Sequence, residues 1–175
     1  MTASIPPEQP CHLVVMGVCG SGKSLMGQRL AQQLGLPFIE GDEHHPEANL
    51  HKMRQGIPLQ DSDRQGWLER LGQLLAAHPQ GAVLSCSALK LRYREQLRHH
   101  CPRLGFVYLH GDYSTIESRL LQRQGHFMPP ALLASQFADL EIPHNEPRVW
   151  QLDVRDTPEQ LLAQLLPQLP RSGAC

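Results

Sequence analysis

The chain has 175 residues and a formal net charge of -1, with five cysteines at positions 11, 19, 86, 101 and 175. That length suits one domain, residues 1–175, with a substantial core. The near-neutral balance gives no electrostatic footprint for nucleic acid, and no stretch has the length and apolarity of a membrane span. An odd cysteine count without a C-x-x-C pair indicates neither a disulfide framework nor a zinc ribbon, so reduced thiols, a cytoplasmic location and small-molecule partners are expected. The ten histidines include the adjacent pairs His44-His45 and His99-His100, which lack the i, i+4 spacing of a helical metal site.

Met1 to Pro10 is polar and proline-rich without a charged n-region or an apolar h-region, which predicts a disordered lead-in and not a signal peptide. Leu13-Val14-Val15-Met16 is a buried-strand run. It feeds Gly17-Val18-Cys19-Gly20-Ser21-Gly22-Lys23-Ser24, which reads as a P-loop. A strand delivers the chain to a glycine-rich turn that opens into a helix, whose unpaired N–H groups and positive dipole end hold phosphate oxygens. Lys23 is placed to reach the β- and γ-phosphates, and the Ser24 hydroxyl to ligand Mg²⁺.

Leu25, Met26, Leu30, Ala31 and Leu34 recur at helical spacing until Gly35 and Pro37 end the run. Pro37-Phe38-Ile39 predicts a short strand entering the charged loop Glu40 to Pro46, at the strand edge where open α/β sheets bind ligands. Ala48 to Arg54 predicts a short helix. Asp61, Ser62 and Asp63 are N-cap candidates for a longer one bearing Trp67, Leu68, Leu71, Leu74 and Leu75. Arg64 sits in that helix's first turn, against the dipole. Either an anionic ligand or partner carboxylate balances it, or a salt bridge to Asp61 or Asp63 does.

Further strands are expected at Ala82–Cys86, Gly105–Leu109 and Val149–Val154. Helices are expected through Tyr93 and Leu97, from Ile116 to Leu121 with Arg119 and Arg123 on one face, and from Leu132 to Leu140. Residues 124–131, a mixed glycine, histidine and proline segment, suit a lid. Asp156-Thr157-Pro158 is a helix start with Pro158 at its first position, and residues 170–175 are expected to fray. Strands alternating with helices imply a parallel sheet covered on both faces, a three-layer α/β/α domain. No guanine-reading Asn-Lys-x-Asp is present. The strand ending in Ser85-Cys86-Ser87 lacks a Walker B Asp, which argues against motor-type ATPases and leaves a small kinase.

Glu40-Gly41-Asp42 with His45-Pro46, then Lys52-Met53 and Gly56-x-Pro58-Leu59-x-Asp61-x-Asp63-Arg64-x-x-Trp67-Leu68, resembles the gluconokinase family of P-loop sugar-acid kinases. So do Cys86-Ser87-Ala88-Leu89-Lys90-x-x-Tyr93-Arg94, the stretch Arg119 to Arg123, Gly125-His126-Phe127-Met128, Ser135-Gln136-Phe137 and Leu140-Glu141-x-Pro143. The match runs in order from about residue 13 to residue 165. One departure is Glu40, which stands where the related Asp-Gly-Asp pattern has Asp.

The resemblance implies a P-loop NTPase fold with a five-stranded sheet of order 2-3-1-4-5 and a lid, a homodimer, and ATP-dependent phosphorylation of D-gluconate on oxygen 6. It makes Asp42 the carboxylate that deprotonates the acceptor hydroxyl and also holds Mg²⁺ through water. His45, Lys52, Arg64, Lys90, His126 and Gln136 resemble the polar set around the sugar acid, with Arg64 and Lys90 facing its carboxylate. Gly17, Cys19, Gly20, Ser21, Gly22, Lys23 and Ser24 are expected on the ATP phosphates, with Arg119, Thr157 and Pro158 on the nucleotide and Arg123 bridging its phosphates. Kinases for shikimate or a nucleoside monophosphate are the alternatives within the fold, and a nucleotide-binding module without catalysis is the alternative outside it.

Overall fold

Apolar runs that cannot alternate between core and solvent must be buried on both faces, and this determines the architecture. The computed structural model describes residues 11–123 and 129–170. Its five strands, β1 (Cys11–Met16), β2 (Phe38–Glu40), β3 (Gly81–Ser85), β4 (Gly105–His110) and β5 (Val149–Asp153), form one sheet of order β2-β3-β1-β4-β5 with every pairing parallel. Successive side chains point to opposite faces. Leu13, Val15, Val83 and Val107 therefore pack into one cluster, while Val14, Met16, Leu84 and Phe106 pack into another.

The helices are α1 (Lys23–Leu34), α2 (Glu47–Arg54), α3 (Asp61–Ala76), α4 (Leu91–His100), α5 (Tyr113–Gln122), α6 (Pro130–Asp139) and α7 (Pro158–Leu165). Met26 and Leu30 of α1, Ile116 of α5 and Leu161 and Leu165 of α7 cover the first face; Trp67, Leu68 and Leu71 of α3 and Tyr93 and Leu97 of α4 cover the second. The layers and strand order are those expected from the sequence and its resemblance.

Three details differ. The short charged loop after β2 winds into a 3-10 turn, Gly41–His44. The N-cap of α3 is Gln60, one residue before the candidates: Asp63 lies inside the first turn, where its Oδ2 accepts the Gln60 N–H at 2.8 Å. A carboxylate at that position satisfies an orphan donor and favours the positive end of the helix, so the acidic cluster starts the helix from within. Of the expected lid, residues 124–128, including His126, lie outside the described residues, and Pro130 and Ala131 already belong to α6.

Candidate active site

The glycine loop between β1 and α1 is shaped by positions that exclude side chains. A Cβ on Gly17 would lie 2.7 Å from the Leu109 carbonyl oxygen, and Gly20 and Gly22 hold φ of 79° and 93°, a region that glycine enters at little cost. Gly22 caps α1, so the amides of the following turn have no intrahelical partner. Ser21 Oγ is buried and has no partner among the described residues, a hydrogen-bonding capacity that a phosphate oxygen would take up. Lys23 Nζ rests 3.0 Å from the Val18 carbonyl.

Across the cleft, the end of β2 is clamped onto β3. The Gly41 N–H donates to Ser85 Oγ at 3.3 Å, Ser85 Oγ donates to Glu40, and a Cβ on Gly41 would meet the Ser85 carbonyl at 2.1 Å. Trp67 Nε1–H donates to the Gly41 carbonyl at 2.9 Å. This anchorage turns the Asp42 carboxylate, 68% exposed, into the cleft. His45 follows with its side chain 3% exposed, stacked on Trp67 at 4.0 Å between ring centroids. Burial lowers its pKa; the Asp42 charge opposes the shift and Arg64 adds to it.

A buried guanidinium needs partners, and Arg64 finds them outside its own helix. Its Nη1 donates to Tyr93 Oη at 3.0 Å and to Asp139 Oδ2 at 3.3 Å, with the guanidinium 5.4 Å from the Tyr93 ring centre. Asp61 and Asp63 are engaged elsewhere. Asp61 takes Lys90 at 3.0 Å, Arg92 and the Tyr93 hydroxyl, and Asp63 takes Lys52 at 2.9 Å. The hydrogen bonds from Tyr93 and Lys90 hold the Asp61 carboxyl below the usual range, and Lys52 does the same for Asp63. The carboxylate that balances Arg64 is therefore Asp139, not Asp61 or Asp63.

One cleft thus brings together Cys19, Lys23, Asp42, His45, Arg64 and Gln136. Lys90 lines an adjoining cleft that also holds Arg64, while Lys52 is drawn off by Asp63. Arg119 of α5 donates to the Val154 carbonyl just after β5. Thr157, three residues further on, caps α7 by accepting the Gln160 N–H at 3.2 Å, with Pro158 as the first helical residue. Arg123 is the exposed C-cap of α5. Sequence reasoning gave no site role to Asn49, Ser135 or Asp139. The last two share one face of α6 with Gln136 by i+3 and i+4 spacing, a signal available in the sequence.

A phosphate-binding loop after the central strand, with a free carboxylate at the end of a nearby parallel strand, defines a P-loop kinase of small molecules. Residues 19–140 match the family model described as shikimate kinase. The thermosensitive gluconokinase of Escherichia coli is 47% identical over 145 residues, covering 81% of this chain and 78% of that protein. The gluconokinase of Gluconobacter oxydans is 44% identical over 163 residues, covering 90% of each. The crystal structure of a gluconokinase from Sinorhizobium meliloti superposes with a TM-score of 0.85 at 46% identity, covering 91% of each chain. The chain belongs to the gluconokinase family.

Proposed function

We propose that the protein transfers the γ-phosphoryl group of ATP to the 6-hydroxyl of D-gluconate, giving 6-phospho-D-gluconate and ADP. The observation that carries this reading is the single cleft in which Lys23 of the phosphate loop faces Asp42, His45 and Arg64. Gluconokinase relatives that match nearly the whole chain support the choice of acceptor.

In this mechanism the P–O bond to ADP breaks as the acceptor oxygen bonds to phosphorus, and Asp42 takes the hydroxyl proton late in the transfer. Lys23 and Arg123 supply positive charge to the migrating group. Gly17, Gly20, Ser21 and Gly22 shape the phosphate cradle together with the Cys19 backbone, and Arg119, Thr157 and Pro158 flank the base. The hard oxygens of Ser24 and Asp42 suit Mg²⁺, with Asp42 acting through water. Bound there, the ion would neutralise phosphate charge. The Arg64 contacts described above use Nη1, which leaves the rest of its donor fork for the gluconate carboxylate beside Lys90. Lys52, His126 and Gln136 complete the polar set. Discrimination for a polyol acid follows from buried polar groups that its hydroxyls must satisfy.

Residues 1–175 would act as one catalytic domain with 124–131 as the lid, in a cytoplasmic homodimer. Among the described residues no helix is long and apolar enough to cross a membrane. A coupled assay of ADP release with gluconate, shikimate, AMP and other sugar acids tests the reading. Release that depends on gluconate, with product phosphorylated on oxygen 6, is expected, and ATP turnover indifferent to gluconate would overturn it.

A further inference from the structure

The mechanism above leaves unused a buried polar side chain that touches His45. Asn49 on α2 is 2% exposed. Its Nδ2 lies 2.8 Å from the Asp63 carbonyl oxygen and 3.2 Å from His45 Nδ1. The first contact fixes the amide orientation, because the flipped rotamer would set oxygen against oxygen at that distance. An amide nitrogen carries two hydrogens, one for each of these contacts. His45 Nδ1 must then accept, so it is bare, and the ring's proton lies on Nε2.

The ring orientation is set by its polar neighbours, because the flipped imidazole would turn carbon Cδ2 to the Asn49 amide and carbon Cε1 to Asp42. The imidazole stacks on Trp67 at 17° between ring planes, and Trp67 is itself pinned to the Gly41 carbonyl. With Nδ1 on Asn49, Nε2 faces Asp42 Oδ1 at 3.9 Å. That separation exceeds a hydrogen bond and leaves the two groups to be bridged by an oxygen between them. Nε2–H donates and the carboxylate accepts. An alcohol oxygen matches the pair, because it accepts on one lone pair, donates its hydrogen to Asp42 and keeps a second lone pair for attack. In the other tautomer Nε2 would be a second acceptor competing with Asp42 for one hydrogen.

We propose that Asn49 is a positioning residue for the phosphoryl acceptor: by holding His45 in the Nε2–H tautomer, it makes His45 and Asp42 a matched donor and acceptor for a single hydroxyl. The assignment deepens the gluconate kinase reading and rests on it for the identity of the alcohol. It also means that His45 is a donor to the acceptor and not an alternative base.

The experiment is a long-range proton–nitrogen correlation spectrum of the full chain labelled with 15N-histidine, recorded without substrate near neutral pH. It is paired with steady-state kinetics of Asn49→Ala. The wild-type spectrum should show His45 with a protonated Nε2 and a bare Nδ1; a proton on Nδ1, or two averaged nitrogens, overturns the proposal without recourse to any variant. In Asn49→Ala the two nitrogen shifts should converge as the tautomers mix. Gluconate KM should rise about tenfold, the scale of one lost hydrogen bond, with ATP KM within about twofold. Unchanged nitrogen shifts or an unchanged gluconate KM in that variant would equally overturn it. A protein that phosphorylates a different alcohol refutes gluconate as substrate but leaves the spectrum to decide the tautomer, and the KM comparison is then made with that alcohol.

Discussion

The side chain of Gln136, on α6, accepts the backbone N–H of Cys19 in the phosphate loop at 2.7 Å, joining positions 117 apart in the chain. The helix that follows the proposed lid is thereby tied to the ATP loop as well as to the acceptor cleft. Gln136→Leu should raise ATP KM at least threefold in addition to raising gluconate KM. A gluconate effect alone, measured by varying each substrate at saturation of the other, would reduce Gln136 to an acceptor contact.

Asp42 is the carboxylate of the cleft next to both Lys23 and His45. Asp42→Asn should lower kcat by about 10² or more with ATP affinity nearly unchanged, the range for removal of a general base. Activity within a few-fold of wild type would exclude Asp42 as the base.

Arg64 is held by Tyr93 and Asp139 through Nη1 alone, which leaves the rest of its planar fork for the acceptor carboxylate. Arg64→Ala should raise gluconate KM by about tenfold or more and ATP KM much less, and Arg64→Lys should fail to restore it, since an ammonium cannot reproduce the fork. The opposite ranking of the two KM values would put Arg64 on the nucleotide side.

Arg94 is fully buried. It donates to the carbonyls of Ala88, Leu89 and Glu141 and pairs through two nitrogens with Glu146. It thereby fastens the turn before α4, where Ala88 holds a φ of 45°, to the loop before β5. Arg94→Met leaves a buried carboxylate and three carbonyls short of partners, and urea unfolding should show a loss of about 3–5 kcal/mol.

Stability should fall with acid in two stages. Burial lowers the pKa of His45 from 6.5, so below that value the unfolded chain takes up a proton that the folded one resists. For Glu146 burial pushes upward, but the hydrogen bonds from Arg94 and Arg98 outweigh it and the net pKa lies below 4.5. Asp61 and Asp63 likewise lie below 3.8. Their stabilisation is complete above those ordinary values and is lost as pH falls through the lowered ones. Tm measured from pH 8 to pH 3 should therefore decline gently below about 6.5 and steeply below about 4.5, and Glu146→Gln should flatten the second stage.

The sheet was legible because its inner strands are buried on both faces, so that Leu13 to Met16 and Ala82 to Leu84 read as unbroken apolar runs. The phosphate loop and the Asp42 and His45 pair were legible because each is contiguous. What escaped was pairing across distance. Arg64 and Asp139 are 75 positions apart and Tyr93 and Asp61 32 apart, so neither pair leaves a local spacing. Asn49 reads as an ordinary polar helix residue, and only the packing of α2 against α3 and the His45 loop gives it partners.

The cations proposed to receive the acceptor carboxylate are already matched by internal anions: Arg64 by Asp139 and Lys90 by Asp61. An arriving sugar acid therefore meets cations that are already paired and must share or displace a resident carboxylate. Long-range attraction contributes little to such an encounter, and selection falls to close-range fit. Gluconate association should accordingly vary only weakly with ionic strength, in contrast to a site whose cations stand open to solvent.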